Sequence, residues 1–346
     1  SCKACASECP SAVDVAKLKS EFLAAWHDKH GVSLATKVFG NIHRVNQIAG
    51  RLPAISNFML DHPLGKIGAE LLGLPAERPL PRYAERPFSA GPYPRHAEAD
   101  AILIVDTFTE WNHPEIGEAV MELASRLGLR VNARRLPEQG CCGRPAISKG
   151  LLDNAKAMAQ ANVLDLYRRQ PDATYIFIEP SCLSAFTDDY VTLVDLGLQA
   201  AAKSLAARCQ SVEQFFVEKL ACGAETLAWR NETPRILLHG HCHQKALWGT
   251  ADALKLLRII PGAVVEEMNT GCCGLAGSFG YEHYELSMKI AEDRLLPTIR
   301  DNPDAIVAAA GTSCRAQIHD AGFAARHPVQ VVLDALVSSE LLEQEV

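Results

Sequence analysis

Cysteines are the residues of this chain whose type and spacing could do chemistry. Three of them, Cys2, Cys5 and Cys9, stand at the start of the chain, with Pro10 directly after the third. They match the last three positions of the bacterial iron–sulfur run C-x2-C-x2-C-x3-C-P, whose fourth cysteine ligates the other cluster of a two-cluster pair. The first cysteine of such a run would lie three residues before Cys2, so we expect no intact cluster at this end of the chain by itself.

Seven further cysteines belong to two copies of one pattern. Each copy has a position just after an apolar run, an adjacent pair within a CCG triplet, and a position just after a second apolar run. In chain order these positions are Thr107, Cys141, Cys142 and Cys182 in the first copy, and Cys242, Cys272, Cys273 and Cys314 in the second. Equivalent positions lie 131 to 135 residues apart. Such self-similarity indicates an internal duplication.

Short runs rich in β-branched residues alternate with longer helical stretches in both copies. The runs span residues 101–105 and 174–178 in the first copy, and 235–239 and 305–309 in the second. Because this alternation is typical of βαβ units, we predict an α/β fold of two pseudo-symmetric lobes with mainly parallel sheets, preceded by a helical segment. The cysteines follow the strands, at the carboxyl ends where ligands of such sheets gather. Two sites related by a pseudo-twofold axis are therefore expected.

The four cysteines of the second copy provide enough thiolates for a tetrahedral zinc ion or for a [4Fe-4S] cluster. Vicinal cysteines such as Cys272 and Cys273 cannot easily share one small ion, whereas a cluster is wide enough to take both, so we favour the cluster. The other interpretation is that these residues are small buried apolar side chains. His241 and His243 flank Cys242 and could be ligands or could donate hydrogen bonds to ligands, although an ordinary polar role is more common.

The first copy offers a poorer site. Thr107 stands where the second copy has Cys242, and a hydroxyl is a weak substitute for a thiolate. The three cysteines of this copy could bind a cluster together with another group, hold zinc with a nearby nitrogen or oxygen, or form a vestigial site kept for packing. His113 is the nearest candidate for the fourth ligand.

Breaks in the sequence pattern divide the chain into four predicted parts. Residues 1–73 form a helical segment with the partial ferredoxin motif, and residues 74–98 form a proline-rich linker. Residues 99–230 form the first lobe with a helical extension, and residues 231–346 form the second lobe.

Composition excludes several classes of function. With 346 residues, 48% of them hydrophobic and 22% charged, the chain has the composition of a globular protein. A net charge of -7 with scattered Lys and Arg gives no electrostatic footprint for nucleic acid. The apolar runs are far shorter than the roughly 20 residues of a membrane-spanning helix, and no signal peptide opens the sequence. We therefore expect a cytoplasmic protein without a transmembrane segment, with peripheral attachment to the inner membrane as a further option.

The doubled arrangement, in which a CCG triplet lies between two single positions, resembles the cysteine-rich CCG domain family. That family includes the cysteine-rich subunit of heterodisulfide reductase and the iron–sulfur subunit of glycolate oxidase. The phrases CKACASECPSAVDVAKLKSEFLAAW, VDTFTEWNHPE, QGCCGRP and NTGCCGLAGSFGYE look most like the C-terminal part of bacterial FAD-linked oxidases. Those proteins carry a flavin domain, a ferredoxin domain and a CCG domain in one polypeptide, and the resemblance covers nearly the whole chain.

This resemblance implies an iron–sulfur electron-transfer module of an FAD-dependent 2-hydroxy acid dehydrogenase of the glycolate, D-lactate or 2-hydroxyglutarate type. The module would relay electrons from FAD, held by a partner subunit or upstream domain, to an acceptor such as a quinone, and would not be catalytic alone. The fullest family motifs end in C-x-x-C, whereas SCLSAF and SCRAQI hold one cysteine each, which argues against disulfide reduction of the heterodisulfide type. Two alternatives stay open: a thiol/disulfide reductase component and a zinc-bearing docking module.

Overall fold

The computed structural model describes residues 2–5, 9–11, 13–71, 77–137, 140–170, 172–220 and 227–337 of the chain. It confirms the α/β fold with two lobes, each built on a parallel sheet. The limits of the four predicted parts stay predictions.

Helices account for most of the described residues between positions 13 and 71. They are α1 (Val15–His30), α2 (Leu34–Gly40), α3 (Ile42–Ala49), α4 (Pro53–Asp61) and α5 (Pro63–Leu71).

Helix α1 begins where the side chain of Asp14 accepts hydrogen bonds from two backbone N–H groups of the first turn. The helical spacing of Leu18 and Phe22 predicts this helix, but both side chains face outward and are 59% and 63% exposed. Ala16 and Ser20, on the opposite side, are buried instead. The helix is therefore confirmed, and its apolar face is not the one that this chain buries.

Each repeat builds one parallel sheet with the same strand order. The first sheet consists of β1 (Ala101–Val105), β2 (Val131–Arg135), β3 (Tyr175–Phe177) and β4 (Cys209–Ser211), in the order β2-β1-β3-β4. The second consists of β5 (Arg235–His239), β6 (Val264–Glu267) and β7 (Ile306–Ala309), in the order β6-β5-β7. In both sheets the first strand of the repeat lies between the second and the third. The duplication predicted from the sequence is thus a duplication of the fold.

Helices connect these strands as parallel pairing requires. In the first lobe they are α6 (Thr107–Trp111), α7 (Pro114–Arg126), α8 (Arg144–Ser148), α9 (Leu152–Arg169), α10 (Pro180–Ser184), a π-helical turn (Ala185–Asp189), α11 (Tyr190–Leu193), α12 (Leu196–Ala206) and α13 (Val212–Leu220). In the second lobe they are α14 (Cys242–Leu247), α15 (Ala251–Arg258), α16 (Phe279–Glu282), α17 (Tyr284–Asp293), α18 (Leu295–Arg300), α19 (Thr312–Asp320) and α20 (Pro328–Asp334). Among the described residues, no helix is both long enough and apolar enough to cross a membrane.

A single hydrophobic core joins the two sheets. Successive side chains of a strand point to opposite faces, so Leu103 of β1 and Leu238 of β5 enter this shared core, whereas Ile104 and Leu237 pack into separate cores on the outer faces. Burying a side chain of this size stabilises the fold by roughly 1.5–3 kcal/mol. The shared core therefore fixes the orientation of one lobe relative to the other.

The described part of the proline-rich stretch contacts both lobes. The guanidinium of Arg78 is buried and lies 2.6 Å from a carboxylate oxygen of Asp320 in the second lobe. Phe88 packs into the shared core against Gly117 of α7. A Cβ atom on Gly117 would lie 2.6 Å from the Phe88 ring, so only glycine leaves space for this ring. These residues hold the stretch against the surface of the molecule.

A buried acid lies where the two lobes meet. Glu213 of α13 is 1% exposed, and its Oε1 lies 3.6 Å from Nε2 of His327. Burial raises the pKa of Glu213 to about 7, and burial lowers the pKa of His327 well below its ordinary value. Glu213 therefore loses its charge in the folded protein as pH falls below about 7.

We expect Glu213→Gln to make the protein more stable at alkaline pH. A carboxyl whose folded-state pKa is raised stabilises the fold below the unfolded-state value of 4.5, and this stability is lost as pH rises through about 7. The free energy of unfolding of the variant relative to wild type should therefore rise by about 2 kcal/mol between pH 5.5 and pH 8. Urea denaturation of both proteins at the two pH values measures this change. A difference between variant and wild type that does not depend on pH would contradict the prediction.

Candidate functional site

The cysteines of the two copies occupy equivalent places in the two lobes. We call Cys141, Cys142 and Cys182 the first thiol group, and Cys242, Cys272, Cys273 and Cys314 the second thiol group.

The four positions of the repeated pattern that lie outside the CCG triplets are all at the start of a helix. Each of these helices follows the carboxyl end of a strand. Thr107 opens α6 after β1, and Cys242 opens α14 after β5. Cys182 is the third residue of α10 after β3, and Cys314 is the third residue of α19 after β7. Parallel strands end at the same edge of a sheet, so the thiols of each lobe converge there.

The second thiol group forms a connected set of four sulfur atoms. Cys272 makes hydrogen bonds with Cys242 and Cys273, and these bonds are the largest causes that lower its pKa well below the ordinary value. Cys273 also bonds Cys314, and that bond is the largest cause that lowers the pKa of Cys314. Cys273 and Cys314 are buried, whereas Cys242 and Cys272 are half-buried. The four side chains of the group therefore differ in their access to solvent.

Glycine makes the CCG turn possible in both lobes. Gly143 and Gly274 have φ angles of +74° and +93°, a region that residues with a Cβ atom rarely adopt. A Cβ atom on Gly274 would also lie 2.2 Å from the carbonyl oxygen of Ser287. The tight turn lets the N–H of Gly274 donate to the sulfur of Cys272 at 3.4 Å, and the N–H of Gly143 donate to Cys141 at the same distance.

The first thiol group is smaller and more contracted. The sulfur atoms of Cys142 and Cys182 lie 3.0 Å apart, and both side chains are buried. The backbone of the CCG turn is fixed from α9 and α11, because Asn162 donates to the carbonyl of Cys141 and Tyr190 donates to the carbonyl of Cys142. These bonds hold the two adjacent cysteines in a rigid frame.

Asp106 acts on the first thiol group, whereas His113 is turned toward another residue. The hydrogen bond with Cys142 and burial raise the pKa of both Cys141 and Cys182, and the charge of Asp106 adds to this shift. His113 is 41% exposed, and its Nδ1 lies 3.1 Å from Glu115. Within the described ranges, no set of three or more His, Cys, Asp or Glu side chains surrounds a point that one metal ion could occupy.

One carboxylate links the two thiol groups by capping a helix in each lobe. Oε1 of Glu179 accepts from the N–H of Ser181 in α10, at 3.1 Å. Oε2 accepts from the N–H of Thr312 in α19, at 2.8 Å. The residue at the N-cap of α19 is Gly311, which has no side chain, and a Cβ atom there would lie 2.2 Å from the His241 ring. Glu179 therefore supplies from the other lobe the cap that α19 lacks.

We expect Glu179→Ala to lower the free energy of unfolding by about 2–3 kcal/mol, because two helix caps are lost. Burial alone would raise the pKa of Glu179, but the charges of His241 and Arg315 and the bond from Thr312 outweigh it and lower the pKa. The stabilisation is thus present above pH 4.5 and lost as pH falls through the folded-state pKa. Chemical denaturation near neutral pH measures the loss. Glu118→Ala, at an exposed position of α7, serves as the control, and an equal loss in both variants would contradict the capping role.

The two histidines beside Cys242 have structural partners. Nδ1 of His241 accepts from the N–H of His243 and so caps α14, while its Nε2 lies 3.9 Å from Glu179. Nδ1 of His243 lies 2.6 Å from the hydroxyl of Ser184 in the first lobe. Both residues therefore orient the start of α14 against the other lobe. Ligation by either one stays a prediction.

A cleft of about 1100 Å³ lies between the lobes and is lined by both thiol groups. Cys142 and Cys182 line it from the first lobe, and Cys242 and Cys272 line it from the second. Apolar side chains such as Ile116 contribute to the same wall. A small molecule or a partner's side chain that entered the cleft would therefore meet sulfur atoms of both groups.

Cys2 and Lys3 of the half motif lie close to the two lobes. The amine of Lys3 is buried and bonds Asp188 and Asp189 of the π-helical turn in the first lobe. Cys2 is close to the second thiol group, since its charge adds to the rise in the pKa of Cys242, after the bond with Cys272 and burial. The sequence did not predict this approach.

Comparison with known proteins identifies the same two repeats as the structure. The family model of the CCG cysteine-rich domain matches residues 105–187 and 236–319, one segment in each lobe. Lactate utilization protein A of Anoxybacillus flavithermus is 30% identical over 200 residues, which are 56% of this chain and 79% of that protein. The chain belongs to the CCG cysteine-rich domain family.

Two further relatives are longer than this CCG protein. One subunit of the anaerobic glycerol-3-phosphate dehydrogenase of Escherichia coli is 26% identical over 234 residues, which are 66% of this chain and 57% of that protein. D-2-hydroxyglutarate dehydrogenase of Pantoea ananatis is 24% identical over 355 residues, which are 97% of this chain and 34% of that protein. The chain thus spans a little over half of one relative and about a third of the other.

Sequence reasoning missed Glu179 as a residue of the site. It precedes α10 as an ordinary cap would, and only the assembled lobes show that it also caps α19 of the second lobe. Its position before a helix was the only local signal, and that signal does not show the second contact.

Proposed function

We propose that this chain is the iron–sulfur electron-transfer module of an FAD-dependent 2-hydroxy acid dehydrogenase. The observation that carries the proposal is the second thiol group, in which four sulfur atoms meet at the carboxyl edge of one sheet. The group fits a [4Fe-4S] cluster in the type and number of its donors. Cys242, Cys272, Cys273 and Cys314 would hold this cluster, which when bound takes up and passes on single electrons.

The four cysteines of the second thiol group differ in their exposure to the cleft. Cys273 and Cys314 are buried, and of these two only Cys273 borders the cleft. Cys242 and Cys272 are half-buried and line the cleft, which is the side where an electron donor or acceptor could approach. Low dielectric on one side and access on the other are features by which proteins set the potential of a cluster.

The relatives support a dehydrogenase as the partner. One is a dehydrogenase subunit by name, and another is a D-2-hydroxyglutarate dehydrogenase with about two thirds of its length outside the matched part. We propose that the FAD lies on such a separate subunit or domain, and that a quinone or another carrier takes the electrons. The hydroxy acid and the acceptor are not fixed by this chain.

For the first thiol group we propose zinc or a second cluster. Three thiols with Thr107 in the fourth position would need one more donor. His113 is the candidate that the sequence offers for this donor, whereas the oxygens of Asp106 already accept from the N–H groups of Phe108 and Thr109 and from the Thr109 hydroxyl.

A second candidate function is a thiol/disulfide reductase, favoured by the contact between Cys142 and Cys182. Two thiols and a small disulfide from the cleft would exchange to give an internal disulfide and two small thiols. This function requires turnover of a probe such as glutathione disulfide by this chain alone, with dithiothreitol as reductant and without a flavoprotein. The electron-transfer module is expected to show no such turnover.

The electron-transfer proposal is tested by reductive titration of anaerobically purified protein. We expect a coloured protein that takes up about one electron per chain from dithionite and then gives an EPR signal of a reduced cluster. Addition of a soluble quinone should remove that signal. A colourless protein that takes up no electrons would contradict the proposal and favour the zinc-bearing docking module.

A further inference from the structure

The buried histidine at the end of β5 has no role in the site described above. His239 is 1% exposed, and its Nδ1 lies 2.7 Å from the hydroxyl of Thr270. Its Nε2 is also buried and has no hydrogen-bond partner of ordinary geometry among the described residues. A buried polar atom without a partner destabilises the fold, so a partner is expected at this place.

The thiol of Cys314 is the group toward which this nitrogen is directed. β5 pairs with β7 so that His239 lies beside Ala309, and α19 with Cys314 begins three residues after Ala309. The imidazole of His239 lies within interaction distance of the Cys314 side chain. Because Nδ1 is already engaged by Thr270, Nε2 is the ring nitrogen left to face the sulfur. Strand pairing therefore places the imidazole next to one sulfur atom of the second thiol group.

Contacts around Thr270 fix the orientation of the ring. The amine of Lys245 donates to the carbonyl of Thr270 at 2.6 Å, which holds this part of the loop against α14. When the Thr270 hydroxyl donates to Nδ1, the ring proton of a neutral imidazole is on Nε2. His239 then offers one N–H group toward Cys314 and none toward solvent.

The first lobe has no equivalent of this histidine. In the strand register, His239 lies beside Ala309, five residues before Cys314, and Ile104 of β1 lies beside Phe177, five residues before Cys182. Ile104 is therefore the counterpart of His239, and it packs in the same cluster as the first thiol group. An isoleucine cannot donate a hydrogen bond, so the first thiol group has no such donor. His239 thus distinguishes the lobe that has four thiols from the lobe that has three.

We propose that His239 is a positioning residue of the second thiol group, whose Nε2–H donates to the thiolate of Cys314 and raises the reduction potential of a cluster held there. The inference rests on the proposed function. A hydrogen bond to a ligating sulfur stabilises the extra negative charge of the reduced state more than the smaller charge of the oxidised state. Removing the donor should therefore favour the oxidised state.

The test is a redox titration, followed by EPR, of wild type, His239→Asn and His239→Ile. The isoleucine variant places in the second lobe the residue that the first lobe has at the equivalent position, Ile104. We expect iron and sulfide contents close to wild type, and an equilibrium constant for one-electron reduction at least tenfold smaller, which corresponds to a midpoint potential about 59 mV more negative. His319→Asn is the matched control, since it changes an exposed histidine on the same helix as Cys314.

Thr270→Val keeps the test decisive if the His239 variants fail to fold or lose iron. This variant keeps the imidazole but frees Nδ1, so the potential should shift in the same direction by a smaller amount. An unchanged potential in every variant that retains the cluster would overturn the role of His239 and leave the electron-transfer module intact. Wild-type protein without iron and sulfide would overturn the proposed function itself.

Discussion

Cys273→Ser is expected to lose bound iron and acid-labile sulfide by more than about tenfold relative to wild type. Cys273 bonds both Cys272 and Cys314, so it lies in the middle of the connected set of sulfur atoms. A serine hydroxyl is a weak ligand for iron, and only three thiols would remain. Iron and sulfide per chain, measured on both proteins after the same anaerobic purification, give the result.

Two other cysteines provide matched controls. Cys209→Ser changes a thiol in β4 that donates to the carbonyl of Leu205 and belongs to neither thiol group, so iron and sulfide should stay at the wild-type level. Cys142→Ser should spare the iron of the second thiol group, because the two groups lie in different lobes. Retention of all iron in Cys273→Ser would contradict the assignment of the cluster to this group.

Lys3→Met is expected to lower the free energy of unfolding by about 3–5 kcal/mol. The side chain of Lys3 is 1% exposed, and its amine lies 2.8 Å from a carboxylate oxygen of Asp189 and also bonds Asp188. Asp189 is 4% exposed, so removing the amine leaves a buried carboxylate without its closest charge partner. Methionine fills a similar volume, which separates the loss of charge from the loss of packing.

Lys17→Met is the control for this variant. Lys17 also pairs with Asp188, at 2.7 Å, but its side chain is 37% exposed. Pairs that are open to water contribute about 0–1 kcal/mol, so the control should unfold at nearly the wild-type concentration of urea. Equal losses in the two variants would show that the half motif is not anchored by the buried amine.

Much of the fold could be predicted from the sequence because the duplication is visible there. The runs 101–105 and 235–239 are strands with those limits, since each is a continuous β-rich run buried on both faces. The edge strand β2 (VNARR) was not predicted as a strand, because four of its five residues are only half-buried and carry little apolar signal. Which face of α1 is buried could not be predicted, because helical spacing shows that a helix has an apolar face but not what covers it.

The sequence predicted which cysteines come together at the candidate site, but it did not predict the groups around them. Spacing identified all seven cysteines of the two thiol groups, since vicinal pairs beside glycine are rare without a ligand. Glu179 acts through a helix 133 residues away in the chain, and no local pattern encodes that contact. His113, the candidate fourth ligand of the first copy, lies 3.1 Å from Glu115, and its role as a ligand stays a prediction.

Iron, zinc and acid-labile sulfide per chain of anaerobically purified wild-type protein test the central claim most directly. The account predicts about four iron and four sulfide held by the second thiol group, with zinc or further iron at the first. Zinc without any sulfide would contradict it, because an electron relay could not be built on such a centre.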